Sequence, residues 1–285
     1  MFVVAGVSGH VGSVVAKQLL TQKQKVKVIV RDAAKGEEWS HAGAEVAVGS
    51  LEDVAFLTSA LRGAAGFFTL LPMNFQATDV FGSQRKTADA IAAAVKASGV
   101  PHVVQLSSIG ADLEAGTGPI KGLHYLEEVL RKTGVKLSAI RAGSFQENVE
   151  NSVAPARQAG IFPNFSASAD YPIPMIATRD IGALAAKSLV SPPAKSEIVD
   201  LHGPSYSYRQ VAEKLGKALG KTVNIVDVPP AGQVDAMVKG GVPKPIALEL
   251  AEMYAGFSTG KIAPHGDRMA HGSTQIEEVI RAAIA

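Results

Sequence analysis

The chain has no cysteine, a single tryptophan, and only 19% charged residues among its 285. Without cysteine there is no disulfide, no thiolate zinc site and no cysteine nucleophile. No block of lysine and arginine stands out and the formal net charge is +2, which argues against nucleic acid as a direct partner. Long uncharged apolar runs are also missing. The longest are interrupted by Lys96 and Lys187, well short of a membrane span. The chain opens directly on an apolar run, Met1–Ala5, so a signal peptide is not expected and a cytoplasmic location is. With 47% hydrophobic residues the composition is that of a globular protein able to bury a large core.

Strand-like and helix-like segments alternate through the first half. Strands are expected at Phe2–Ala5, Lys25–Val30, Glu45–Val48, Gly66–Leu71, His102–Leu106 and Lys136–Ile140. Between them Val11–Thr21, Val54–Leu61, Thr87–Ala97 and Leu123–Lys132 carry apolar residues at helical spacing. Uninterrupted apolar strands alternating with helices imply an α/β fold, a doubly wound parallel sheet covered on both faces. Beyond about residue 145 prolines interrupt this rhythm. Helices are expected at Ile181–Leu189, Tyr208–Leu219, Gly232–Val238 and Pro245–Tyr254, with short strands at Glu197–Leu201 and Thr222–Val226. Gly256–Ser273 reads as a loop. The expected division is a dinucleotide-binding Rossmann domain over 1–150 and a smaller C-terminal α/β substrate lobe over 151–285, partly interleaved with the first.

The most informative segment is Gly6-Val7-Ser8-Gly9-His10-Val11-Gly12, set between the first strand and the first helix. Strand, glycine-rich turn and helix form the context of a dinucleotide-binding turn. A pyrophosphate lies there against bare backbone N–H groups at a helix N-terminus, where the dipole favours an anion. A Cβ in the turn would hold the phosphate off, and one at the third glycine would push the helix off the strand. After the second strand come Arg31, Asp32 and Lys35. Arg31 and Lys35 suit a 2′-phosphate and point to NADP(H). Asp32, about 20 residues beyond Gly12, is the competing ribose acid, with capping of the next turn as its plainer role. Asp53 is expected to cap the following helix. Leu70-Leu71-Pro72, at the end of the fourth strand, should pass along the pyrophosphate and nicotinamide ribose.

These segments resemble the NmrA-like branch of the atypical short-chain dehydrogenases. The resemblance runs through Gly6–Gly12, Val30-Arg31-Asp32, Gly49–Asp53, Gly66–Pro72, Val104–Ser108, His124–Glu127 and Ile140–Asn148, and extends to Ala177–Ile181 and Gly241–Pro243. It is greatest to the NADPH-dependent quinone oxidoreductases and triphenylmethane-dye reductases of that branch. It implies an NADPH-dependent oxidoreductase passing hydride to a quinone-like or other conjugated apolar acceptor. The branch also holds non-catalytic sensors, so an NADP(H)-binding redox sensor with a protein partner is the alternative. A homodimer is compatible with either.

The tyrosine–lysine pair of typical short-chain dehydrogenases, Tyr-x-x-x-Lys, is absent. Alcohol chemistry through a tyrosine acid, and sugar-nucleotide epimerisation with it, are therefore disfavoured. Ser107 and Ser108 stand at the end of the fifth strand, where the family serine stands, and satisfying local backbone is their plainer role. His124, at the start of the next helix, is a candidate catalytic group beside Lys121 and Ser107. A structural hydrogen bond is the plainer reading of His124. No metal site is expected, since His265 and His271 lack ligand spacing. Phe145 and Asn148 follow the sixth strand and are candidates for the substrate wall. Phe145 can equally be core.

Overall fold

A computed structural model describes residues 1–285. The first half contains β1 (Phe2–Val4), α1 (His10–Thr21), β2 (Val26–Val30), α2 (Glu37–His41), β3 (Glu45–Val48), α3 (Val54–Leu61), β4 (Gly66–Thr69), α4 (Val80–Ser98), β5 (His102–Ser108), α5 (Ile120–Lys132) and β6 (Lys136–Ala142). The second half contains β7 (Ser144–Phe145), α6 (Glu150–Ala159), β8 (Ile161–Asn164), β9 (Ile173–Ile176), α7 (Thr178–Val190), β10 (Glu197–His202), β11 (Ser205–Tyr206), α8 (Tyr208–Leu219), β12 (Asn224–Asp227), α9 (Gln233–Lys239), α10 (Lys244–Ser258), β13 (Arg268–His271) and α11 (Ile276–Ile284).

Eight strands form one parallel sheet in the order β3-β2-β1-β4-β5-β6-β10-β13. The inner strands of this sheet divide their side chains between two cores. Phe2 and Val4 join α1 and α7 on one face, whereas Val3 and Ala5 join α3, α4 and α5 on the other. Two-sided burial is why these strands read as continuous apolar runs. Strand order reverses between β1 and β4, so the loops after β1, β4, β5 and β6 open on one crevice at the carboxyl edge. A third core, built from α6, α8, α11 and the small strands β8, β9 and β11, covers that edge.

Several elements differ from the sequence reading. Glu197–His202 is not a strand of the small lobe; it pairs with β6 in the main sheet. Arg268–His271 lies inside the expected loop Gly256–Ser273 and forms the sheet's last strand against β10. It is a four-residue edge strand with three exposed residues, and its apolar pair, Met269 and Ala270, is adjacent, so it carries no apolar alternation to read. The fourth strand ends at Thr69, and Leu70–Pro72 leave the sheet. α4 starts at Val80 because the Asp79 carboxylate accepts from the Gly82 N–H at 2.8 Å, well before the apolar pattern begins. Asp53 caps α3 by accepting from Phe56 N–H at 3.0 Å. No helix is long and apolar enough to cross a membrane.

His102, the first residue of β5, is buried. Its Nε2 lies 3.0 Å from the Ser138 hydroxyl, and Nδ1 has no partner. Burial, reinforced by the Lys136 charge, pushes the imidazole down to about 4. The unfolded chain takes up this proton near 6.5, and the folded chain resists it until about 4. Stability from this group is complete above 6.5 and is lost as pH falls towards 4, by on the order of 3 kcal/mol. Urea unfolding from pH 7 to 4 should show that decline, and His102→Asn should flatten it.

Candidate functional site

The site is built outward from the turn after β1. Gly6 adopts a left-handed conformation, φ +69°, and its carbonyl accepts from Gly9 N–H at 3.0 Å. Gly9 is the N-cap of α1. It supplies no capping side chain, and no acidic residue lies in the first helical turn. The first amides of a helix have no partner inside it, so this end presents unclaimed donors and the positive end of the dipole. The glycines have different tasks. A Cβ on Gly12 would come within 2.6 Å of the Ala5 carbonyl oxygen and closer still to that of Gly6; the helix rests on the strand's own backbone. A Cβ on Gly9 would meet only the Gly6 oxygen, at 3.5 Å. The fold tolerates it, but the space in front of the amides is lost.

That space is a cavity of about 310 Å³. Gly6, Gly9, His10, Val11 and Gly12 form one wall, with Leu70 and Leu106 from the ends of β4 and β5 beneath. Phe145, Glu147 and Asn148 follow β6 and form the opposite wall, completed by Glu150, Asn151 and Thr178. Phe145 and Asn148 therefore share one cavity with the glycine turn. Glu147 fixes this wall: its carboxylate accepts from Thr178 N–H at 2.9 and 3.0 Å and from the Thr178 hydroxyl at 2.6 Å. Leu106, Glu147, Glu150, Asn151 and Thr178 were not singled out from the sequence. Leu106, Glu147 and Thr178 fall in segments that carry the family resemblance; Glu150 and Asn151 have no local signal and depend on the chain's return over the sheet.

Val7 is a core residue beneath the turn, and Ser8 is exposed. Arg31 and Lys35 are exposed beyond β2. Asp32 accepts from Ala34 N–H at 3.0 Å and caps a short 3₁₀ turn, so its carboxylate is occupied with local backbone. Leu71 is half-buried against the core of the α3–α5 face, and Pro72 is exposed.

The three groups considered for proton transfer are engaged away from this cavity. Ser107 is buried on the face opposite Leu106 and donates to Glu127 Oε1 at 2.6 Å. Ser108 donates to its neighbour's carbonyl, Ile109 O, at 3.0 Å. Glu127, fully buried, accepts from Arg141 Nε and Nη2 at 3.0 and 2.8 Å and from Arg131 at 2.6 Å. Burial alone would pull the Arg141 guanidinium down. Its hydrogen bonds to Glu127, with the charges of Glu127, Asp112 and Asp200, more than offset this and hold it above its ordinary value. Lys121 pairs with Glu249 and Glu252 at 2.9 and 3.7 Å. His124 Nδ1 lies 2.9 Å from the Ala111 carbonyl, to which it donates.

Comparison with known proteins gives a consistent set. The model of the NmrA-like family matches residues 1–283. An NAD(P)H azoreductase of Xenophilus azovorans is 28% identical over 256 residues, covering 90% of this chain and 86% of that protein. Quinone oxidoreductase 2 of Escherichia coli is 27% identical over 267 residues, 91% of this chain and 89% of that protein. An E. coli NADPH-dependent quinone oxidoreductase complexed with NADPH matches with a TM-score of 0.82 over 100% of both chains, at 24% identity. The triphenylmethane reductase of Citrobacter sp. complexed with NADP(H) gives 0.84 over 99% of this chain and 100% of that one, at 19% identity. At these identities the structural likeness speaks to the fold.

The buried charge pair sets a measurable expectation. Arg141→Met leaves the sealed Glu127 carboxylate without its bidentate partner and should cost about 3–5 kcal/mol in urea unfolding. Adding Glu127→Leu should recover a large part of that loss, because both buried charges are then gone.

Proposed function

We propose that this chain, which belongs to the NmrA-like family, is an NADPH-dependent reductase that passes hydride to a quinone-like or other conjugated apolar acceptor. The observation that carries this reading is the bare N-terminus of α1, opening on a cavity whose far wall is Phe145 and Asn148. The residues fit the cofactor. Gly9 leaves a cradle that a Cβ would fill, the α1 amides are free for a pyrophosphate, and Arg31 and Lys35 stand beyond β2 for a 2′-phosphate. NADPH supplies the hydride. The chain's part is to hold the dinucleotide, orient the acceptor against Phe145 and keep the reacting faces dry.

The absence of a Tyr-x-x-x-Lys pair suits this chemistry, because hydride addition to a quinone or dye needs little acid assistance. Ser107 and Lys121 are committed to Glu127 and to α10, so they act by fixing the strand end and by holding α10 to the start of α5. His124 positions the loop after β5 through Ala111. The azoreductase and quinone oxidoreductase names of its relatives support the reductase class.

Three measurements test the reading. Purified protein should oxidise NADPH in the presence of at least one quinone or dye, seen as loss of the reduced-nicotinamide absorbance. Tight binding without turnover across such a panel would assign a redox sensor instead. Arg31→Ala should weaken NADPH by about 1.5–3 kcal/mol in calorimetry and leave NADH unchanged; equal loss for both would remove the 2′-phosphate assignment. Gly9→Val should abolish binding of either cofactor, with an unchanged circular dichroism spectrum.

A further inference from the structure

Two tyrosines of the second half stand in an aromatic setting beyond the lining of the glycine-turn cavity. Tyr254, on α10, stacks on Phe165 with ring centroids 5.6 Å apart and planes at 17°. Tyr208 opens α8 and packs on Phe162 at 6.1 Å. Its hydroxyl faces the side chain of Ser144, the neighbour of cavity residue Phe145. The two tyrosines are near enough that a phenolate on one disfavours a phenolate on the other.

Their place is fixed by backbone contacts. A Cβ on Gly118 would strike the Glu249 carbonyl, and one on Gly256 would come within 2.6 Å of the Gly116 carbonyl. α10 therefore lies directly on the loop that follows β5, and the Lys121–Glu249 pair ties it to the start of α5. Tyr254 thus sits over the carboxyl ends of β5 and β6, the end of the sheet where the cavity opens. Phe165 is held in turn by Gln233, whose Nε2 donates to the Phe165 carbonyl at 2.7 Å.

Two other tyrosine hydroxyls are spoken for, and that of Tyr171 stands in solvent. Tyr125 donates to Asp89 and Tyr206 to Gln275, each at 2.7 Å. Tyr254 makes no hydrogen bond to the protein, yet its oxygen is not among the polar atoms sealed from solvent. Burial pushes both the Tyr208 and Tyr254 hydroxyls above the usual phenol range, so each keeps its proton and can only gain by donating it. The Tyr254 hydroxyl is therefore a donor that no protein group claims and that solvent, or an acceptor oxygen in its place, can reach.

We propose that Tyr208 and Tyr254 orient the acceptor by donating hydrogen bonds to a carbonyl oxygen of a planar quinone whose ring lies against Phe145. This deepens the reductase reading and rests on it. It commits the site to acceptors that carry such an oxygen, and gives no advantage to an oxygen-free dye cation.

The test uses menadione as the quinone and malachite green as the oxygen-free cation, with Tyr208→Phe, Tyr254→Phe and the double variant. The rings and their stacking remain, so folding should be unaffected. Calorimetric binding of menadione to NADP⁺-loaded protein should weaken about tenfold in Tyr254→Phe, and further in the double variant. The KM for menadione should rise in parallel, with NADPH affinity and malachite green kinetics unchanged. Equal menadione affinity in all four proteins, no menadione binding by the wild type, or an equal loss for malachite green would overturn the pair. Tyrosine-dependent menadione binding without NADPH oxidation would keep the pair and overturn the reductase reading.

Discussion

The contact on which the rest depends lies between Gly12 and the carbonyl oxygens of Ala5 and Gly6. It leaves no room for a Cβ, so α1 lies on the backbone of the strand that precedes it. This close approach aims the N-terminus of α1 at the point where strand order reverses. The same economy of space recurs one layer out. A Cβ on Gly182 would sit 2.6 Å from Val14 and 3.1 Å from the Val11 carbonyl, so α7 is drawn against α1. Thr178, the first residue of α7, thereby reaches the cavity, and Glu147 grips it and brings Phe145 and Asn148 with it. Two glycines in helices far apart in sequence set the distance between the two walls.

A second organising element is electrostatic and sits on the other face. Glu127 and Arg141 lock α5 to β6, and Ser107 locks β5 into the same pair. The network reaches outward through Asp112, which lies 3.7 Å from Arg141 and 2.9 Å from His265 of the C-terminal segment. Asp200, also buried, accepts from Gly266 N–H at 2.6 Å in that segment. A buried pair of this kind contributes little net stability over an apolar substitute. What it supplies here is registration: β5, β6, the loop after β5 and the returning C-terminal chain are fixed to one another by directional bonds.

Much of this was legible because it is local. Gly6–Gly12 declares its strand, turn and helix, and Asp53 declares a helix start through its side-chain cap. The parallel sheet follows from uninterrupted apolar strands, since burial on both faces removes alternation. Phe145 and Asn148 could be placed by their position just past a strand end. What was not legible depends on partners distant in sequence. Ser107 reads as a site serine until Glu127 and Arg141, 20 and 34 residues on, are brought beneath it. Arg268–His271 has too few residues, and no alternation of apolar and polar ones, to announce an edge strand. Tyr254 carries no motif; only the fold of α10 onto the loop after β5 brings it to the carboxyl end of the sheet.

Three helices, α1, α6 and α7, begin at the cavity, and their ends are not equivalent. α6 carries Glu150 in its first turn, and α7 carries Asp180 there in addition to the Glu147 carboxylate on its first residue. Both dipoles are answered by acids of the chain itself. Glu150 also stands 3.8 Å from His10 across the cavity mouth. α1 alone begins with glycine, has no capping side chain and has no acid in its first turn. A cavity bordered by acids would repel an anion if those charges were free. Here the Glu147 charge is absorbed by Thr178 and the α7 dipole, and the helix left unanswered is the one whose amides open on the empty side of Gly9. The charge pattern therefore directs an anion to α1 and away from its neighbours.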